Sequence, residues 1–297
     1  MSERRIKGLL KEKGVLVSDG AWGTFIHEKG LRSDECPESW NLERPDDIYE
    51  VALSYVNAGA DMILTNSFGG SPFKLKPYGL EDKTYLINKA AAEISRKAAA
   101  DKVIVLGSVG PTGKILMMGE VTEEELFNGF SEQIRGLADG GADAILIETM
   151  SDPQEATTAI RAAKSVTDKE VICTFTFNLT PAGEYRTMMG TSPAETVEML
   201  ISEGADAIGA NCGNGAAGMI EIVSEIRKIN SDIPVLVHAN AGMPELVDGK
   251  SVFPETPGEM SSQVGQLIAA GTNMVGGCCG TTPEHIRQIA SAVRAKK

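Results

Sequence analysis

The chain has 297 residues, 42% hydrophobic and 23% charged, with 41 acidic against 28 basic residues and a net charge of −13. A chain of this length buries one large core or two small ones. The acidic balance excludes nucleic acid as the main partner, because phosphate binding needs clustered Lys and Arg, and it fits a soluble protein.

The opening stretch MSERRIKGLLKEKGVLV has neither the apolar core nor the small-residue cleavage site of a secretory signal. No run approaches the roughly 18 apolar residues of a membrane span. A cytoplasmic protein is expected. VLVSDG (15–20) then reads as a first strand, and AGADMILTN (58–66) carries a second. VIVLGSVG (103–110) is a third strand, followed by the amphipathic stretch 122–141 with a Thr cap and an acidic first turn. GGADAILIET (140–149), VICTFTF (171–177), EGADAIGANC (203–212), PVLVHAN (234–240) and AGTNMVGGCC (270–279) supply the fourth to eighth.

Four of these segments repeat one pattern: a helix running into a glycine, a small polar pair, then an apolar run. The glycine suits the left-handed position after a helix. The apolar run suits a strand buried on both faces of a parallel sheet. Eight strands alternating with helices predict a single (β/α)8 barrel over residues 1–297, with no domain boundary. A doubly wound open sheet is the alternative, but no GxGxxG follows the first strand.

Barrel chemistry sits at the C-terminal ends of the strands. Those ends carry Asp19, Asn66, Glu148, Thr149, Asn211, Cys212, Asn240, Cys278 and Cys279. Five cysteines in a reducing compartment point to metal binding or catalysis rather than to disulfides. Cys212 ends the sixth strand and Cys278 and Cys279 end the eighth, so all three flank the seventh. Three thiolates suit Zn²⁺, and three protein ligands leave an open, catalytic position. Gly276, Gly277 and Gly280 permit the bend that lets neighbouring cysteines face one ion. Asn240 is the nearest polar group to fill the fourth position. Cys36 and Cys173 read as small buried hydrophobes. A phosphate-binding loop at GTTPEH, with Pro283 at the helix start, is a competing reading, but thiols facing an anion serve it poorly. A non-catalytic metal- or thiol-binding barrel is a further one.

GANC (209–212) with GGCCGTTPEHI (276–286) resembles the homocysteine S-methyltransferase family. DGAWGT (19–24), AGADMILTNSFG (58–69), GPTG (110–113), ETMSD (148–152) and NAGMP (240–244) extend the resemblance over residues 10 to 295. It implies a barrel holding zinc through Cys212, Cys278 and Cys279, and an acceptor, L-homocysteine, that binds zinc as the thiolate and attacks a methyl group to give methionine. It also implies that Glu148 and the Asp19–Gly20–Ala21 turn hold the ammonium and carboxylate ends, with Asn66 beside them. The family often has proline near the NAG segment, where this chain has His238 and Ala239, and Trp22 is bulky for its turn. Met188–Met189 stands where the family is more polar. His27 and His285 read as helix residues without a catalytic role.

The start Met and Lys-rich finish read like a complete small protein. Such a protein takes methyl from a small onium donor or from a methyl-corrinoid on a separate protein. In the corrinoid-linked alternative, the same zinc site acts on a different methylated substrate and passes methyl to cobalt.

Overall fold

The computed structural model describes residues 5–247 and 250–295; the start Met and the terminal Lys296–Lys297 lie outside them. Eight parallel strands form the barrel: β1 Leu16–Val17, β2 Met62–Leu64, β3 Ile104–Val109, β4 Ala144–Met150, β5 Glu170–Phe175, β6 Ala207–Asn211, β7 Val235–Ala239 and β8 Met274–Gly277. Each pairs with its neighbours in chain order, and β8 pairs with β1. A parallel bridge from Ser18 to Met62 joins β1 to β2 and closes the ring. The strands are buried apolar runs, as a sheet covered on both faces requires.

Helices follow the strands: α1 Pro45–Ala58, α2 Thr84–Ala99, α3 Glu123–Asp139, α4 Pro153–Val166, α5 Pro193–Ser202, α6 Ala216–Ile229, α7 Pro257–Ala270 and α8 Pro283–Arg294. Thr122 caps α3, as its sequence predicts, and also pairs with Glu125 in a reciprocal capping box. The open-sheet alternative is therefore overturned, because the first and last strands pair instead of ending as edges.

The fourfold repeat has a physical basis at the bottom of the barrel. Gly59, Gly141, Gly204 and Gly271 all have left-handed φ, from 94° to 111°. Each reverses the chain after a helix, in a backbone conformation that strains any residue with a Cβ. Two residues on, Asp61, Asp143, Asp206 and Asn273 each grip the preceding strand. Their side-chain oxygens accept the N–H of Val17, Val105, Val171 and Val235 at 2.8–3.0 Å. Their own N–H groups donate to the carbonyls of the same four valines. Lys13, Arg96, Lys164 and Arg227 complete the four clamps from neighbouring helices. The polar pair in the repeat thus fixes strand register at the end opposite the strand tips.

Two antiparallel hairpins, Asn178–Leu179 with Tyr185–Arg186 and Glu245–Val247 with Lys250–Val252, rise from the loops after β5 and β7. Both lie on the mouth side. Among the described residues no helix is long and apolar enough to cross a membrane.

Candidate metal centre and substrate pocket

Cys212 follows β6, and Cys278 and Cys279 follow β8. The tip of β7 fixes both loops through its backbone. His238 O accepts the Cys212 N–H at 3.0 Å, and Ala239 O accepts that of Cys278 at 2.7 Å. Cys279 O in turn accepts the N–H of Ala241. Cys212 adopts left-handed φ (58°), a conformation unfavourable for a residue with a Cβ. Cys212 Sγ lies 3.8 Å from Cys279 Sγ, which lies 4.0 Å from Cys278 Sγ, and all three fall within 4.8 Å of one another. A tetrahedral ion with bonds of about 2.3 Å to sulfur needs sulfurs roughly 3.8 Å apart. The donor set and its spacing therefore fit zinc.

The glycines serve a purpose the sequence reading only half captured. Gly280 has φ of 80° and supplies the bend. Gly277 supplies room instead: a Cβ there would stand 2.3 Å from Thr281 Oγ1. That hydroxyl accepts the Ala21 N–H at 3.0 Å and donates to Cys278 O at 2.7 Å, tying the β1 turn to the cysteine loop.

The thiols titrate as a unit. S–H donation from Cys278 and Cys279 lowers the pKa of Cys212, so one proton leaves readily. The hydrogen bond to that thiolate then pushes Cys278 and Cys279 up.

Beside the thiols lies a cavity of about 280 Å³. Its walls bring together Gly20, Ala21, Asn66, Glu148, Cys212, Cys278 and Cys279, residues far apart in sequence. Glu148 is 6% exposed and accepts a hydrogen bond from Ser108 Oγ. Burial, then the charges of Asp19 and Cys212, raises its pKa to about 7. Asn66 donates from Nδ2 to Pro37 O at 2.8 Å and to Asn41 Oδ1 at 3.0 Å. Thr149, also left-handed, is held by Asn211, which accepts its N–H and donates to its hydroxyl.

Two expected site residues stand behind the wall. Asp19 is 1% exposed, and its Oδ2 accepts from Trp22 Nε1 at 2.8 Å and Leu64 N at 2.7 Å. Burial outweighs these bonds and raises its pKa to about 7. Asn240 hydrogen-bonds the Cys212 sulfur through its side chain, while its buried Oδ1 has no partner.

Cys36 and Cys173 are buried away from the centre, as expected. Burial raises the Cys36 thiol to about 12 and Cys173 further still. His285 caps α8, accepting the Thr282 N–H at Nδ1, so that helix start is closed from within. Sequence reasoning missed Glu38, a buried wall carboxylate that accepts the Gly69 N–H at 2.6 Å. It also missed Ser108. Neither stands in a distinctive local pattern, and only the fold brings them to the cavity. A second hollow, of about 380 Å³, lies at the far end among Ile6, Glu170 and Pro234, with neither cysteine nor histidine in its walls.

A closed (β/α)8 barrel with three convergent thiols and a carboxylate-bearing pocket at its mouth defines a class of barrel proteins whose strand tips can hold a metal ion beside a small-molecule cavity. The particular family is clear from comparison. The family model described as homocysteine S-methyltransferase matches residues 16–293, and the chain belongs to that family. Methionine synthases of Mycobacterium leprae (strain TN) and Mycobacterium tuberculosis (strain ATCC 25618 / H37Rv) are each 33% identical over 295 residues. Those matches cover 94% of this chain but 24% of each relative, so the chain spans about a quarter of their length. The crystal structure of the homocysteine methyltransferase MmuM from Escherichia coli in its metallated form is also similar. Its TM-score is 0.79 at 25% identity, with 98% of this chain and 99% of that one covered. Its oxidized form gives a TM-score of 0.78.

Proposed function

We propose that residues 1–297 form one cytoplasmic barrel domain that methylates L-homocysteine to methionine, with zinc held by Cys212, Cys278 and Cys279. The observation that carries this reading is the sulfur spacing of 3.8 and 4.0 Å at the rim of a pocket that also contains Glu148. Bound zinc would keep the acceptor sulfur deprotonated, and therefore nucleophilic, at neutral pH. Asn240, which hydrogen-bonds the Cys212 sulfur and keeps Oδ1 unpartnered, would supply the remaining donor in the substrate-free site.

The chain's own residues position the amino acid. Glu148 pairs with the ammonium, and the pairing holds the carboxylate ionised. The Gly20–Ala21 turn faces the carboxylate end; the Ala21 N–H is already given to Thr281, so the neighbouring backbone donors carry that contact. Asp19 acts through Trp22 and Leu64, whose N–H groups it accepts, and so sets the shape of the turn. Asn66 orders the opposite wall, and buried Trp22 keeps water from the pocket beside the Gly20–Ala21 turn.

A small onium compound is the simplest donor. The corrinoid-linked reading is favoured by a different feature, the apolar mouth loops. Phe68, Met117, Met118, Leu179, Met188 and Leu246 are exposed there, Met117 by 79% and Met188 by 82%. Such methionine-bearing patches suit an adaptable protein contact.

The test is calorimetric titration of the zinc-loaded chain with L-homocysteine while proton release is recorded. Binding with about one proton released supports the reading. Absence of heat and proton, with one zinc per chain, sinks homocysteine as the acceptor. Turnover with an onium donor alone separates the first reading from the corrinoid-linked one, which stays silent without its partner protein.

A further inference from the structure

Among the described residues, His238 is the one side chain lining the pocket that keeps a buried polar atom, Nε2, without a protein partner. It sits on β7 and is 2% exposed. Asn211 of β6 stands on one side of it and Gly276 of β8 on the other. The ring leans over Gly276: a Cβ there would stand 2.8 Å from His238 Cδ2, the ring carbon bonded to Nε2. Its carbonyl holds the Cys212 N–H, and its side chain lines the same cavity as Cys212, Cys278 and Cys279. Glu148, on β4, lies three strands away. The other histidines differ. Both ring nitrogens of His285 are engaged, by Thr282 and by Glu255 O, and His27 Nδ1 meets Leu31 O.

A buried polar group left without a partner is unfavourable, and such exceptions call for a physical reason. Here the ring lines the pocket, the nearest space that could admit a partner. We propose that His238 is a specificity residue whose Nε2 hydrogen-bonds the sulfur of the bound thiol amino acid. The inference rests on the thiol-acceptor reading above. A neutral imidazole serves either state of the sulfur, because it accepts a thiol S–H through one tautomer and caps a thiolate through the other. An acceptor analogue that ends in methyl leaves the nitrogen bare and is selected against.

The test uses the full, zinc-loaded chain labelled with ¹⁵N at histidine. It is titrated with L-homocysteine and separately with L-norvaline, which has methyl in place of the thiol. Only three histidines are present, so the ring signals are readily assigned. The His238 Nε2 signal should move with homocysteine and stay with norvaline, while those of His27 and His285 hold still in both.

His238→Phe keeps the ring volume. It should weaken homocysteine binding by about tenfold, the size of one ordinary hydrogen bond, and leave norvaline binding unchanged. His238→Gln, which restores a polar group near the same reach, should recover part of that loss. An unmoved His238 signal at saturating homocysteine overturns the inference and leaves the proposed function standing. Unchanged homocysteine affinity in His238→Phe does the same. Failure of the parent chain to bind homocysteine overturns both.

Discussion

Replacing Glu148 by Gln tests whether this carboxylate is held for a ligand or for the fold. Glu148 is 6% exposed, and burial, with the charges of Asp19 and Cys212, raises its pKa from 4.5 to about 7. In the unfolded chain the group ionises at its ordinary value. As pH rises from about 4.5 to 7, the unfolded state gives up a proton that the folded state keeps, and stability falls across that window. At about 1.4 kcal/mol per pH unit, the rise from 4.5 to about 7 corresponds to roughly 3 kcal/mol lost by pH 8. Gln still accepts from Ser108 and carries no charge. Glu148→Gln should therefore stabilise the metal-free, ligand-free protein by up to about 3 kcal/mol at pH 8. Near pH 4, where the carboxyl is protonated in both states, it should change little. The same substitution should weaken L-homocysteine binding by roughly tenfold to a hundredfold at pH 8, since it removes a charge-assisted partner of the ammonium. Urea unfolding at the two pH values and calorimetric titration read the two effects. Lower stability at both pH values would assign Glu148 to the fold, and unchanged affinity would remove it from the amino-acid site.

Single Cys212→Ser, Cys278→Ser and Cys279→Ser variants should each fall well below one tightly held zinc per chain, measured by metal analysis after dialysis against a chelator; full retention in any one would exclude that residue as a ligand. Gly277→Ala should cost about 1–3 kcal/mol and lower metal retention, because the new Cβ meets Thr281 Oγ1, which holds both the β1 turn and Cys278. Asp143→Ala should destabilise the fold by about 2–3 kcal/mol, since it strips partners from Val105 N, Arg5 and Arg96. Its homocysteine affinity should match the parent's, and a changed affinity would mean that the bottom clamps reach the mouth. A thiol reagent should modify the three mouth cysteines of the metal-free native chain and spare Cys36 and Cys173, whose burial keeps them protonated. Zinc should protect the three.

The architecture was legible because the repeat states its own mechanics. A glycine forced left-handed and an apolar run buried on both faces are local requirements, so Gly59, Gly141, Gly204 and Gly271 announce the turns before any contact is known. The partners of Asp61, Asp143, Asp206 and Asn273 were not legible. Each grips a strand roughly 35 to 45 residues earlier, and nothing in the spacing says which backbone N–H it will take. The convergence of three thiols was legible for a chemical reason, since paired thiols among glycines at one strand tip have few uses besides meeting a third. The wall around it was not. Asp19 and Asn240 sit at strand ends as expected, yet both turn behind the cavity surface, while Glu38 enters it from the single 3-10 turn Pro37–Ser39.

The division between what could and could not be read follows from how the centre is held. Its thiols come from the ends of β6 and β8, and side-chain chemistry marks them. The part that fixes their spacing is the backbone of β7, through His238 O to Cys212 N and Ala239 O to Cys278 N. Carbonyl oxygens are the same in every residue, so no side-chain pattern encodes that role. The sequence can vary at His238 and Ala239 without loosening the cysteines, provided the strand keeps its register with Asn211 and Gly276. This leaves the inward-facing side chain at 238 free to answer to the ligand instead of the metal. The same argument places the conformational strain at Cys212: the loop after β6 must turn at once to face β8, and the residue at the turn carries one of the three clustered sulfurs, so its left-handed φ of 58° cannot be relieved by glycine without losing that sulfur.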